Sequence, residues 1–230
     1  MAALEVHDAL MTNDTLSTEA SVRDVLADPR SDLASAMASC GELIAAVTPD
    51  QLDRPTPCDD MDVRALLGHL VMVARRIGCA ARRVPTHEWP SDVTGLADHE
   101  WAPAWEAAAA DSLAAWVDDA LLDRDMILPW ATLQGRDVVG TYTNEVVVHG
   151  WDLAQGTGQH AAWSDGVLEV AHTAIRQQLP DADRSPMWAQ VQASLPPGVP
   201  WADPFANAVP VDDGAALVDR IVAWNGRTPS

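Results

Sequence analysis

The sequence predicts an all-α protein whose main body is a bundle of four helices. Three observations carry the helical reading. Four long segments repeat apolar residues at helical spacing, Pro- and Gly-rich breaks separate them, and no stretch alternates apolar with polar residues over the length of a strand.

Residues 1–28 are polar and weakly patterned, and are expected to form a flexible lead-in. A first helix is predicted over about 31–47, where Leu33, Met37, Cys40, Leu43, Ile44 and Val47 recur on one face behind Ser31 or Asp32 as cap. "TPDQLDRPTPCDD" is a connection punctuated by Pro49, Pro55 and Pro57, and Asp59 and Asp60 are N-cap candidates for a second helix over about 60–82. A third helix over about 98–122 sets Trp101, Trp105, Leu113, Trp116 and Val117 on a broad stripe, with Pro103 tolerated in its first turn. "RDMILPWATLQGRDVVG" reads as a loop. A fourth helix follows over about 139–156, stopped by Gly156 and Gly158. Residues 29–160 thus form the predicted bundle.

Residues 161–230 are expected to be a C-terminal appendage packed on it. "SDGVLEVAHTAIRQQL" predicts a fifth helix capped by Ser164 or Asp165. The stretch 180–210 holds seven of the sixteen prolines and should wander over the surface. Leu217, Val218, Ile221 and Trp224 mark a terminal helix that docks back.

Composition narrows the function. A chain of 230 residues, 48% of them hydrophobic, can bury a sizeable core, and ten Trp against one Phe and one Tyr supply much of its bulk. Net charge is −20, and all 14 basic residues are Arg. Such a surface repels phosphate backbones and anionic leaflets, so neither nucleic acid nor membrane is an expected partner. The lack of Lys removes Schiff-base chemistry and a Walker-type phosphate loop. Cys40, Cys58 and Cys79 are an odd, widely spaced set without CxxC, against a disulfide framework or a cysteine-rich zinc finger. The first twenty residues lack the basic start and apolar core of a signal peptide, and no run approaches the ~18 apolar residues of a membrane span. A cytoplasmic protein, monomer or homodimer, is the expectation.

"TNEVVVHGWDLAQGTGQ" holds the chemistry. Glu145 and His149 lie four apart on the fourth helix, so they share a face, with Cβ atoms about 6 Å apart. Tyr142, one turn earlier, continues that face, as does Asp152 one turn later. If the face looks inward, each of these charges is costly when unpaired, and a divalent metal resolves the conflict by bonding both. Catalytic zinc takes three protein ligands and keeps a further position open. His69 is the one His of the second helix, with Leu66, Met72 and Val73 as neighbours on its face, and is the natural third donor. Two imidazoles and a carboxylate suit zinc and also iron(II), nickel or manganese. The same spacing fits a plain Glu–His hydrogen-bonded pair and a core histidine, because periodicity shows that the three can face inward and not that they meet.

"TPCDDMDVRALLGHLV" closely resembles the first signature of the mycothiol-dependent maleylpyruvate isomerase amino-terminal family, metal-binding bundles of the DinB-like superfamily common in actinobacteria. "NEVVVHGWDLAQGTGQ" resembles the second signature, and "LVDRIVAWNGRTP" looks like the tail of single-domain members. The resemblance implies a DinB-like, up-down four-helix bundle and, carried over by position, puts the metal ligands on His69, Glu145 and His149, between the second and fourth helices. It also implies a low-molecular-weight thiol such as mycothiol, deprotonated at the metal, and a small electrophilic substrate. Two departures stand out. Met61 replaces a usual Trp, and a Pro-rich appendage stands where the isomerase itself carries a further domain. The expectation therefore turns from maleylpyruvate to thiol transfer or isomerisation on another electrophile. The alternatives are a metal-hydroxide hydrolase and a non-enzymatic bundle in which the ion is structural or regulatory.

Other residues have double readings. Arg76, two turns beyond His69, is placed to bind a substrate carboxylate or to sit on the rim. Tyr142 suits proton donation to an oxyanion near the metal, or packing. Asp152 suits the second ring nitrogen of His149 or nearby loop amides. Cys58, just before the second helix, reads as a thiol of lowered pKa or as a small buried side chain. His7, His87, His99, His160 and His172 lack partners at ligand spacing.

Overall fold

A computed structural model describes residues 24–58, 61–128, 130–194, 205–212 and 214–229. Among them are seven α-helices and one two-stranded hairpin. The chain is mostly helical, as its periodicity predicts.

The four long helices are α1 (Arg30–Ala45), α2 (Val63–Arg82), α3 (Trp101–Ala115) and α4 (Gly135–Thr157). Each of α1 and α2 packs against both α3 and α4, so neighbours run α1, α3, α2, α4 around the ring. Trp side chains pin three of these helices together. The indole N–H of Trp105 donates to the Met37 carbonyl at 3.2 Å and that of Trp116 to the Ile77 carbonyl at 3.0 Å, so each ring is buried without an orphaned donor.

The boundaries differ locally from expectation. Neither Ser31 nor Asp32 caps α1, which begins after Pro29, and Val47 lies past its end. The cap of α2 is Asp62, whose carboxylate accepts from Ala65 N at 2.8 Å; Asp59 and Asp60 lie outside the described residues. Helix α3 stops at Ala115, a short 3-10 turn spans Asp119–Leu121, and Val117 points to solvent at 76% exposure instead of joining the stripe. The predicted loop at 124–140 contains the antiparallel pair β1 (Asp125–Ile127) and β2 (Thr132–Gln134), and α4 starts directly after it at Gly135.

Helix α4 is the central element. It touches α1 and α2, and on its other sides α5 (Asp165–Gln178) and α7 (Leu217–Trp224). Enclosed this way, it buries residues around its whole circumference. Thr141 and Thr143 satisfy their hydroxyls on carbonyls one turn back, Asp137 at 2.7 Å and Val139 at 2.9 Å. Gly158 ends it in the left-handed conformation. Ser164 caps α5, accepting from Val167 N. Helix α6 (Ser185–Ser194) interrupts the stretch expected to be irregular. Ile221 of α7 joins the main core, while Trp224 packs in a second cluster with Ile175, Leu179 and Trp188. Among the described residues no helix is long and apolar enough to cross a membrane.

Candidate metal centre

Helix α2 presents His69 and helix α4 presents Glu145 and His149 to one point between them. Glu145 Oε2 lies 3.2 Å from His149 Nε2. The rings of His69 and His149 meet edge to face, with centroids 4.7 Å apart. One ligand atom from each of the three lies within 4.8 Å of the other two. The residues that helical geometry singled out are thus brought together.

Each imidazole is held at its outer nitrogen by a carboxylate. His69 Nδ1 is 3.2 Å from Asp92 Oδ1, and His149 Nδ1 is 3.2 Å from Asp152 Oδ2. A neutral ring that donates through Nδ1 keeps the lone pair on Nε2, the arrangement that orients metal-bound histidines. Asp152 is fully buried, and its charge is balanced by Arg227, whose Nη2 and Nε donate to it at 2.9 and 3.3 Å.

The electrostatics suit a cation. Burial holds His69 below the ordinary imidazole range despite Asp92, which keeps its lone pair free at neutral pH. Burial pushes the Glu145 carboxyl up, but the hydrogen bond from His149 and the charge of both imidazoles outweigh it and hold the group below its usual range. Burial likewise opposes charge on His149, yet Asp152, Cys58 and Glu145 raise its proton affinity well above ordinary. Without a metal, then, a proton shared near Glu145 and His149 compensates the buried carboxylate. A divalent ion on two neutral Nε2 atoms and one carboxylate oxygen does the same, so the donor set fits such an ion.

The centre opens into a cavity of about 550 Å³, lined by α2, α4, Cys58, Trp130 and the segments around Phe205 and Arg227. Tyr142 also lines it, one turn before Glu145, and its buried hydroxyl has no hydrogen-bond partner among the described residues. Burial and the Glu145 charge raise that phenol's pKa, so it stays a neutral donor. Arg76 is at the rim, its Nε donating to the Pro90 carbonyl at 3.0 Å. Cys58 forms a second group with His149 and Asp152, ligand atoms again within 4.8 Å. There Arg227 already neutralises the carboxylate, which disfavours another cation. His87, His99 and His160 are exposed and none joins the ligand set; His7 lies outside the described residues.

Three contributors escaped the sequence. Asp92 sits in the connection between α2 and α3, with no periodicity to mark it. Asn225 and Arg227 lie just past α7, in the part read as an appendage. The one available signal was the likeness of "LVDRIVAWNGRTP" to a family tail, which suggested docking but no task.

Two proteins from two strains of Mycobacterium tuberculosis, both called uncharacterized, are each 28% identical over 187 residues, covering 81% of this chain and 90% of theirs. No solved structure matches. The sequence profile described as Mycothiol maleylpyruvate isomerase N-terminal domain matches residues 33–154, the span from the start of α1 to the helix that bears Glu145 and His149. The chain belongs to the mycothiol maleylpyruvate isomerase N-terminal domain family.

Proposed function

We propose that the chain is a divalent-metal-dependent transferase or isomerase, zinc being the favoured ion, that brings a small thiol of the mycothiol type to a small electrophile. One observation carries the reading: His69, Glu145 and His149 converge at the wall of a cavity of about 550 Å³ instead of being sealed in the core. Three donors facing free space match a reactive centre, whereas a purely bracing ion calls for a fourth protein ligand. The family's mycothiol association supports the choice of thiol.

An ion held there supplies Lewis acidity, which lowers the pKa of a bound thiol or water. The protein's own groups do the rest. Asp92 and Asp152 fix the two imidazoles with Nε2 inward. Glu145 contributes the one negative charge of the ligand set and so moderates that acidity. Tyr142 offers its unpartnered O–H to an oxyanion developing in the cavity. Arg76 at the rim draws an anionic group inward, and Met72, Val73 and Trp130 form apolar walls that limit water.

The test is a cobalt(II)-substituted protein titrated with mycothiol and, separately, with cysteine. A new sulfur-to-cobalt charge-transfer band that saturates, and is absent in His149→Ala, is the expected result. A cobalt spectrum indifferent to thiols while an ester substrate is hydrolysed would replace thiol transfer by metal-hydroxide hydrolysis.

A further inference from the structure

Asp152 is fully buried, and it shares one oxygen between two donors: Oδ2 receives His149 Nδ1 at 3.2 Å and Arg227 Nη2 at 2.9 Å. Arg227 Nε adds a second contact, to Oδ1, at 3.3 Å. A two-point guanidinium contact sets the plane of a carboxylate, which a single ammonium does not. The guanidinium is itself tied down, its Nη1 donating to the Asn225 carbonyl at 2.8 Å, while the Arg227 backbone N–H donates to Val222 at 2.9 Å.

A second anchor lies eight residues back along α4. Asn225 and Asn144 are both fully buried and exchange amide hydrogen bonds at 3.0 and 3.1 Å. Asn225 also donates to the Ile221 carbonyl at 2.8 Å. Asn144 immediately precedes Glu145, and Asp152 follows His149 by three residues. The segment after α7 therefore grips α4 on both sides of its two ligands, turning between the grips at Gly226, whose φ is +85°.

Docking alone does not call for the ion pair. The Asn pair already fastens the segment, and a buried salt bridge adds little net stability against an apolar substitute. What the pair does is hold Asp152 where it meets a ligand histidine.

We infer that the segment after α7 is a positioning element of the metal centre: Arg227, acting through Asp152, aims His149 Nε2 at Glu145, and metal binding is linked to docking of residues 225–229. This rests on the metal-site reading above. Linkage is reciprocal, so whatever loosens the segment weakens the metal, and the metal tightens the segment. The chain's far end thereby acquires a handle on its reactive centre.

Zinc affinity, measured by chelator competition in the full chain, tests this with Arg227→Met, Arg227→Lys and His149→Ala. Loss of such an outer partner should weaken zinc by roughly 10–100-fold in Arg227→Met at unchanged helix content, with partial recovery in Arg227→Lys. Wild-type affinity in Arg227→Met, alongside loss in His149→Ala, overturns the inference and leaves the metal site standing. Wild-type affinity in both overturns the metal site and the inference with it. A second arm needs no variant: zinc should slow amide exchange over residues 225–228 of the wild-type chain, and unchanged protection there overturns the linkage.

Discussion

Gly68→Ala should disarm the candidate metal centre from outside it. Gly68 precedes His69 on α2, and its Cα faces the backbone of Val93: a Cβ would lie 2.0 Å from the Val93 oxygen and 3.1 Å from its carbonyl carbon. The two backbones are already in contact, Val93 N donating to Gly68 O at 3.3 Å. A carbonyl cannot rotate away like a flexible side chain. Restoring an ordinary 3.4 Å contact pushes the connection back by roughly 1.4 Å. Asp92, the preceding residue, moves with it. Its hydrogen bond to His69 Nδ1 spans 3.2 Å now, and a retreat of that size breaks it. Zinc affinity should then fall by about 10–100-fold, with about 1–3 kcal/mol of stability lost to the overpacked contact. Chelator competition and urea unfolding measure the two effects. Asp92→Asn separates them, losing affinity with little change in stability. A Gly68→Ala protein that binds zinc like wild type would refute the claim that this close approach positions Asp92.

The other expectations are more direct. Glu145→Gln keeps the shape but removes the anion from the ligand set, so zinc should bind more than about tenfold more weakly, at least about 1.4 kcal/mol, at unchanged far-UV circular dichroism; retained affinity would make Glu145 an outer residue. Ile221→Ala deletes a fully buried side chain by which α7 joins the main core, and urea unfolding should show a loss of about 2–5 kcal/mol. Burial, then Arg220 and Arg176, pull His172 down to about 4, so the unfolded chain binds this proton first and stability should fall as pH drops from about 6.5 towards 4. His172→Gln should flatten that part of the acid limb, and an identical slope in the two proteins between pH 6.5 and 4 would show that His172 does not contribute it.

What could be read in advance divides by range of interaction. Glu145 and His149 are one turn apart, so local geometry alone puts them on one face. His69 stands out because a single imidazole interrupts the apolar face of α2. Caps and short strands were less legible. Asp62 competes with Asp59 and Asp60 as an N-cap, and three-residue strands such as Asp125–Ile127 are too short to show alternation. The supporting residues were hidden for a different reason. Asp92 lies 23 positions from His69, and Arg227 lies 75 from Asp152. Nothing periodic joins such pairs, since their meeting depends on how whole helices pack.

The two histidine anchors differ in solvent access. Asp152 is sealed and clamped, with none of its side chain exposed, whereas Asp92 sits on a surface connection with 52% of its side chain exposed. The candidate centre therefore has one jaw braced from inside the protein and one braced from its surface. Solvent competes for the Asp92 carboxylate and is kept from Asp152, so the anchor of His69 is the weaker of the two. On the proposed metal site, a chelator should strip zinc faster when the surface-braced jaw is loosened than when the inner one is conservatively altered.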